Sequence, residues 1–275
     1  MEIRKALTLL LILLLAIAVR SQDLFDRENS LKYATHLLNS GRYNLAATEY
    51  ERIIFTYNPG DSVNHLLFKS YFLNKNYRQM LDRLEHLYLN PLAAGRIVAR
   101  VYAYALTLAE EHIALRNFLS VNPGLSATEK KFFLINSYLL NNQWPEAKST
   151  YKSLPDSNSF RPYSIIFNEI DNAAYKSYPA AIGLSAIVPG MGKVYTGDWK
   201  DGIISFVFVA GMSLQAYRGY KNYGTESGHF IGYASLAGVF YLSNLYGTYR
   251  SVKKHNESTR QKIQNRIRST FISAY

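Results

Sequence analysis

Apolar residues recur three and four apart from about residue 30 to residue 154, with short polar turns between the runs. Beyond residue 178 they merge into three long apolar stretches rich in Gly and Tyr. The first pattern predicts amphipathic helices packed in antiparallel pairs, and the second predicts helices apolar around most of their circumference. The expected class is all-α. Pro155-Asp-Ser-Asn-Ser159 is a turn-rich break, followed by a short amphipathic helix from about Pro162 to Ala174. The organisation this predicts is a helical repeat domain over 22–155, a linker over 156–177, an apolar helical domain over 178–250 and a basic amphipathic tail over 251–275.

The first half contains an internal repeat. Ser30 to Pro59 carries Tyr33, Ala34, Leu37, Gly41, Tyr43, Ala46, Tyr50 and Ile53. One period of about 34 residues later come Tyr71, Tyr77, Met80, Leu84, Leu87 and Pro91, then Ala114, Phe118 and Pro123. A fourth copy, one residue out of phase, has Tyr138, Trp144, Ala147, Tyr151 and Leu154. The arrangement resembles the tetratricopeptide repeat, with a small residue and Gly in the first helix and turn, then aromatic, small and aromatic positions down the second. Met80 replaces the small residue in copy two, and copy three has Ala109-Glu110-Glu111 where a Gly-containing turn is expected. A generic antiparallel helical bundle is the alternative. Each helix pair of such a solenoid needs a neighbour to cover its apolar face. The resemblance implies a short solenoid that binds a protein partner, an extended peptide or a partner helix, through residues 22–155. The residues that would make this contact are not visible in the sequence.

In the second half, Tyr178 to Tyr195, Gly202 to Tyr217 and Phe230 to Tyr249 each approach the length of a bilayer-crossing helix. They predict a membrane domain of two or three crossing helices, the first irregular at Pro189, Gly190 and Gly192 and open to a re-entrant reading. Gly228, Gly232, Ala234 and Gly238 suggest close helix contacts. Ser185-Ala-Ile-Val-Pro-Gly-Met-Gly-Lys-Val-Tyr-Thr-Gly197, with Asp201-Gly202, Asn244-Leu-Tyr-Gly-Thr-Tyr249 and Lys254-His-Asn256, resembles an uncharacterised bacterial membrane domain over about 75 residues. That domain has a Pro-Gly-x-Gly-x-x-Tyr-x-Gly turn between apolar helices and often follows a signal peptide and tetratricopeptide-like repeats. No chemistry is assigned to it, and Lys193 stands where its common form has Gln. The candidate motif is therefore Pro189, Gly190, Gly192, Tyr195, Gly197, Asp201 and Gly202, a tight helix reversal with Trp199 and Lys200 facing lipid headgroups. A phosphate-binding loop does not fit. It requires Gly where the chain has Ile187, and Ser or Thr where it has Val194.

Targeting and charge narrow the class further. Met1 to Ser21 reads as a secretory signal cut ahead of Gln22, with Arg4 and Lys5 ahead of the apolar run Ala6 to Val19 and an uncleaved anchor as the alternative. The chain has no cysteine, which excludes disulfides, thiolate metal sites and cysteine nucleophiles. The net charge of +11 is concentrated in Arg250, Lys253, Lys254, Arg260, Lys262, Arg266 and Arg268, opposed there by Glu257 alone. Such a cluster beside an apolar segment points to anionic lipid and not to nucleic acid. Ile263, Ile267 and Phe271 add an apolar stripe suited to a membrane surface. The six histidines form no metal or nucleophile arrangement, and Glu110, Glu111 and His112 are adjacent, which points them away from a common ligand. No catalytic, cofactor or metal site is expected. The reading is a non-enzymatic, membrane-anchored protein of a bacterial envelope, at the inner membrane with its repeat domain exported. It would serve as an accessory of an assembly, secretion or insertion machine. A small transporter, channel or lipid-handling protein is the alternative.

Overall fold

The structure, a computed structural model, describes residues 25–88, 95–154 and 161–275. The predicted signal segment 1–21, Pro91 and the 155–159 break lie outside the described residues. All regular structure among the described residues is helical, as the apolar spacing predicts. The chain divides into two compact units at Phe133–Leu134, within the seventh helix.

The first unit holds α1 (Arg27–Asn39), α2 (Tyr43–Tyr57), α3 (Asp61–Leu73), α4 (Tyr77–Leu87), α5 (Arg96–Leu108), α6 (His112–Val121) and the start of α7 (Ala127–Leu140). Ala34, Leu37, Ala46, Tyr50, Ile53 and Leu67 form the heart of its first core, each at most 2 % exposed. Tyr104 closes a second cluster, edge-on to Phe72 and Phe133, and burial pushes its phenol up to about 12. Ser126 and Glu129 form a capping box at the start of α7. The Ser126 hydroxyl accepts from the Glu129 amide at 3.2 Å, and the Glu129 carboxylate accepts from the Ser126 amide at 2.9 Å. Burial raises the Glu129 carboxyl, but the Ser126 amide and Arg96 outweigh it and hold the group below the usual carboxylate range.

The repeat is most visible in the turns. Gly41, Lys75, Glu110 and Asn142 all sit at positive φ, at 76°, 60°, 63° and 57°. In each turn the next residue's N–H reaches back to the last helical turn: Arg42 to Leu37, Asn76 to Tyr71, Glu111 to Leu106 and Gln143 to Tyr138, at 2.8–2.9 Å. This is the left-handed C-terminal cap of a helix, built four times, although only the first copy uses Gly. Five residues beyond each turn centre stand Ala46, Met80, Leu115 and Ala147, all 0 % exposed. The third turn therefore comes 35 residues after the second, one more than the 34-residue period, and the fourth 32 residues after the third. Leu115 takes the place expected for exposed Ala114, and Leu119 is buried beside Phe118, which keeps a place in the core. A non-Gly residue in the left-handed region costs about 1 kcal/mol. Lys75→Gly is accordingly expected to stabilise the first unit by roughly 0.5 kcal/mol and Gly41→Ala to destabilise it by about 1 kcal/mol. Denaturant midpoints of the two variants check both signs.

The second unit contains the rest of α7, α8 (Trp144–Lys152), α9 (Arg161–Asp171), α10 (Tyr178–Ile187), α11 (Met191–Tyr195), α12 (Trp199–Tyr223) and α13 (Gly228–Ser273). Here the expected membrane domain is corrected. Among the described residues no helix is long and apolar enough to cross a membrane. The first stretch is divided into a ten-residue and a five-residue helix at Pro189–Gly190. α12 dilutes its apolar residues with Ser205, Ser213, Gln215 and Arg218, and α13 does so with Ser235, Ser243, Asn244 and Thr248. The third stretch and the basic tail are one 46-residue helix, about 70 Å long at 1.5 Å per residue. The tail's stripe turns inward. Ile263, Ile267 and Phe271 are buried, Gln264 donates to the Leu139 carbonyl at 3.0 Å, and Arg266 pairs with Glu169 on α9 at 3.0 Å.

α12 and α13 form a hairpin with an inverted distribution of side-chain size. Along α12, Val209 and Ala216 are buried and Gly219 packs against His229 and Phe230 of α13, with Phe208 stacked on Phe240 at 5.1 Å, whereas Ile203, Phe206, Val207 and Leu214 are exposed. On α13, Val239, Leu242 and Tyr246 are outward at 59, 66 and 65 % exposed. The expected small-residue contacts of α13 are also corrected. A side chain at Gly228, Gly232 or Gly238 would meet nothing within 4 Å, while one at Gly219 would strike His229 at 2.7 Å and the Phe230 amide at 2.9 Å.

Candidate functional site

The Pro-Gly-Met-Gly turn lies where α10, α11, α12 and α13 converge. Pro189 ends α10, and Gly190 reverses the chain at φ 87°. A Cβ at Gly190 would lie 2.0 Å from the Gly202 carbonyl oxygen, and one at Gly202 2.7 Å from the Gly190 oxygen. Gly192 is enclosed on more sides, with the Ala181 oxygen at 2.1 Å, Thr248 Cγ2 at 2.5 Å and Ser185 Oγ at 2.7 Å. These three glycines are required because backbone approaches backbone where a methyl group would sit.

A polar ladder on α13 clamps the turn. Asn244 Oδ1 accepts the Gly190 N–H at 2.9 Å, and its amide donates to the Ser185 carbonyl at 3.3 Å. Thr248 spends its proton on the Asn244 carbonyl at 2.9 Å. Ser185 must therefore donate to Thr248, 2.8 Å away, and accept from the Gly192 N–H at 2.9 Å. The direction of the whole chain, from Gly192 through Ser185 and Thr248 to Asn244, is thus fixed. One turn along, Ser251 meets Thr196 and donates to the Asp198 carboxylate, and His255 and Asn256 complete the ladder. Lys193 lies beneath Gly247, its ammonium 2.8 Å from Ser205 Oγ, and a Cβ at Gly247 would come within 2.9 Å of it.

The motif residues thus separate. Pro189, Gly190, Gly192 and Gly202 meet in one knot. Tyr195 stands beside it with the Lys176 ammonium 4.5 Å over its ring. Gly197 turns the chain at φ 94° with no neighbour a Cβ would touch. Asp201 is exposed on the first turn of α12, where its carbonyl accepts from Ser205. Trp199 is 54 % exposed, with the Lys200 ammonium over its ring. The candidate motif omits the clamping side chains Asn244, Thr248, Ser251 and His255, although all but Ser251 lie in the segments 244–249 and 254–256 that carry the resemblance. Their spacing of four, three and four on an apolar helix is the signal that places them on one face.

Chemically the knot is closed, because each hydroxyl and amide named above is engaged with a group of its own unit. Among the described residues no group of three His, Asp or Glu side chains could hold a metal ion. Of the adjacent Glu110, Glu111 and His112, Glu110 is the turn centre, Glu111 binds Arg78, and His112 starts α6. Burial lowers the His112 imidazole from its ordinary range. No protein-family model, no curated protein and no solved structure matches the chain.

Proposed function

We propose that the chain is a non-enzymatic adaptor of the bacterial envelope. Its helical repeats would engage a protein partner, and its α12–α13 hairpin would adsorb to an anionic lipid surface without crossing it. The observation that carries this reading is the inverted hairpin, with small side chains inside and Ile, Phe, Val and Leu outside. Burying such an apolar face against lipid is favourable at about 25 cal/mol per Å². Charge supports the same occupant. Between Gly202 and Asn256 the sole acidic residue is Glu226, against Arg218, Lys221, Arg250, Lys253 and Lys254. Each cation near an anionic surface adds about 1 kcal/mol. The four-fold turn and stacked apolar faces of the repeats are the corresponding support for a peptide or helix partner.

Vesicle flotation of the full-length protein tests the lipid assignment. The protein is expected to float with vesicles containing phosphatidylglycerol, less with phosphatidylcholine alone, and to lose that difference as salt is raised. Phe206→Ser with Leu242→Ser is expected to abolish flotation while leaving the helical circular dichroism unchanged. A protein that stays in the pellet fraction with both vesicles and sediments as a dimer would instead assign the face to a second copy.

A further inference from the structure

The connector between α9 and α10, residues 172–177, is tied to α13 by two adjacent side chains. Asn256 brackets Lys176, accepting its N–H at 2.8 Å and donating to its carbonyl at 3.0 Å. His255 lies between two other carbonyls, with Nδ1 3.1 Å from the Thr196 oxygen and Nε2 3.1 Å from the Ala174 oxygen. A carbonyl oxygen has no proton to give, so each contact is a hydrogen bond only when the ring nitrogen facing it carries one. Neutral imidazole has a single N–H and leaves the other contact as lone pair against lone pair. Imidazolium makes both bonds, each strengthened by its charge.

We infer that His255 is a proton-dependent latch: charged, it ties both the connector and the turn after α11 to α13; neutral, it releases one of them. Imidazole is the side chain whose charge ordinarily changes between about pH 5 and 8. The other charged and titratable groups on the surrounding elements are few. Asp171, paired with Lys148, ends α9, Tyr175 and Lys176 lie on the connector, Tyr178 opens α10, and Lys193 and Tyr195 lie on α11. Asp198 follows α11, with its carboxylate taken by Ser251, and Arg250, Lys253, Lys254 and Glu257 lie on α13 itself. The sign follows from the donor requirement. The latched form binds one more proton than the released form, so raising the pH favours release.

Hydrogen exchange on the full-length protein tests the latch. The Lys176 amide, hydrogen-bonded to Asn256, is the reporter. After correction for intrinsic exchange, protection over 173–178, or over 196–198 where the turn after α11 is the part released, is expected to fall about tenfold between about pH 6 and about pH 8, the scale of one lost charge-assisted bond. His255→Gln is expected to give equal protection at both values. Unchanged protection in the wild-type protein, or the same fall in the Gln variant, would overturn the proposal. Ring nitrogen-15 shifts of the wild-type protein provide a readout independent of any substitution. Two protonated nitrogens at the lower pH and one at the higher support the latch, and a ring neutral throughout refutes it.

Discussion

Gly192→Ala is expected to destabilise the second unit by at least about 3 kcal/mol, enough to remove its cooperative thermal transition or shift it far down. The added methyl would lie 2.1 Å from the Ala181 carbonyl oxygen, 2.5 Å from Thr248 Cγ2 and 2.7 Å from Ser185 Oγ. The closest of these is backbone, so the strain cannot be relieved by turning a flexible side chain. Relief requires α10 to move away from α11, and that movement breaks the bond from the Gly192 amide to Ser185, which fixes the direction of the hydroxyl chain. Gly211→Ala and Gly238→Ala are the matched controls. Both are helical, and neither Cβ would meet an atom within 4 Å. Each is expected to be neutral or stabilising by up to about 1 kcal/mol, because Ala propagates a helix better than Gly. Circular dichroism melts of the three variants check the contrast, and similar losses in all three would show that helix propensity, not the knot, governs the unit.

Much of this arrangement is legible in the residues, though unevenly. The helical class follows from apolar spacing alone, and the repeat follows from the aromatic and small positions around Gly41. Copy three is harder to read because a left-handed turn can be held by its hydrogen bonds as well as by Gly, so Lys75 and Glu110 occupy it unannounced. One added residue then displaces the register from Ala114 to Leu115. In the second unit, apolar runs were expected to mean membrane crossing, since hydropathy counts residues without regard to which side they face. The α12–α13 hairpin shows why facing matters: small residues line much of its inside and large ones its outside, and its polar residues leave neither helix apolar enough over a crossing length. The basic tail misleads for the same reason. Its cations are conspicuous in composition, while Ile263, Ile267 and Phe271 between them face the interior. The glycines of the turn are legible as a motif. Their necessity becomes evident only when Gly190 and Gly202 are seen back to back.

Asn244→Leu is the second large effect, expected to cost about 3 kcal/mol even though leucine nearly matches the volume removed. Asn244 is 2 % exposed and serves two backbone groups at once, the Gly190 N–H and the Ser185 carbonyl. Leucine satisfies neither, and a buried backbone group left without a partner costs roughly 1–3 kcal/mol. The gain from burying more carbon does not offset two such losses, because the side chain is already enclosed. Thr248→Val isolates a smaller part of the same chain. It keeps the shape and removes the hydroxyl, so the Asn244 carbonyl loses its Thr248 donor and Ser185 loses its acceptor, at an expected cost of about 1–2 kcal/mol. Because the two side chains share one hydrogen-bonded network, the double variant should cost less than the sum of the single ones, with a coupling of at least about 0.5 kcal/mol. Urea midpoints of the four proteins measure that coupling. Strict additivity would mean that Asn244 and Thr248 hold the Pro-Gly-Met-Gly turn independently, not as one clamp.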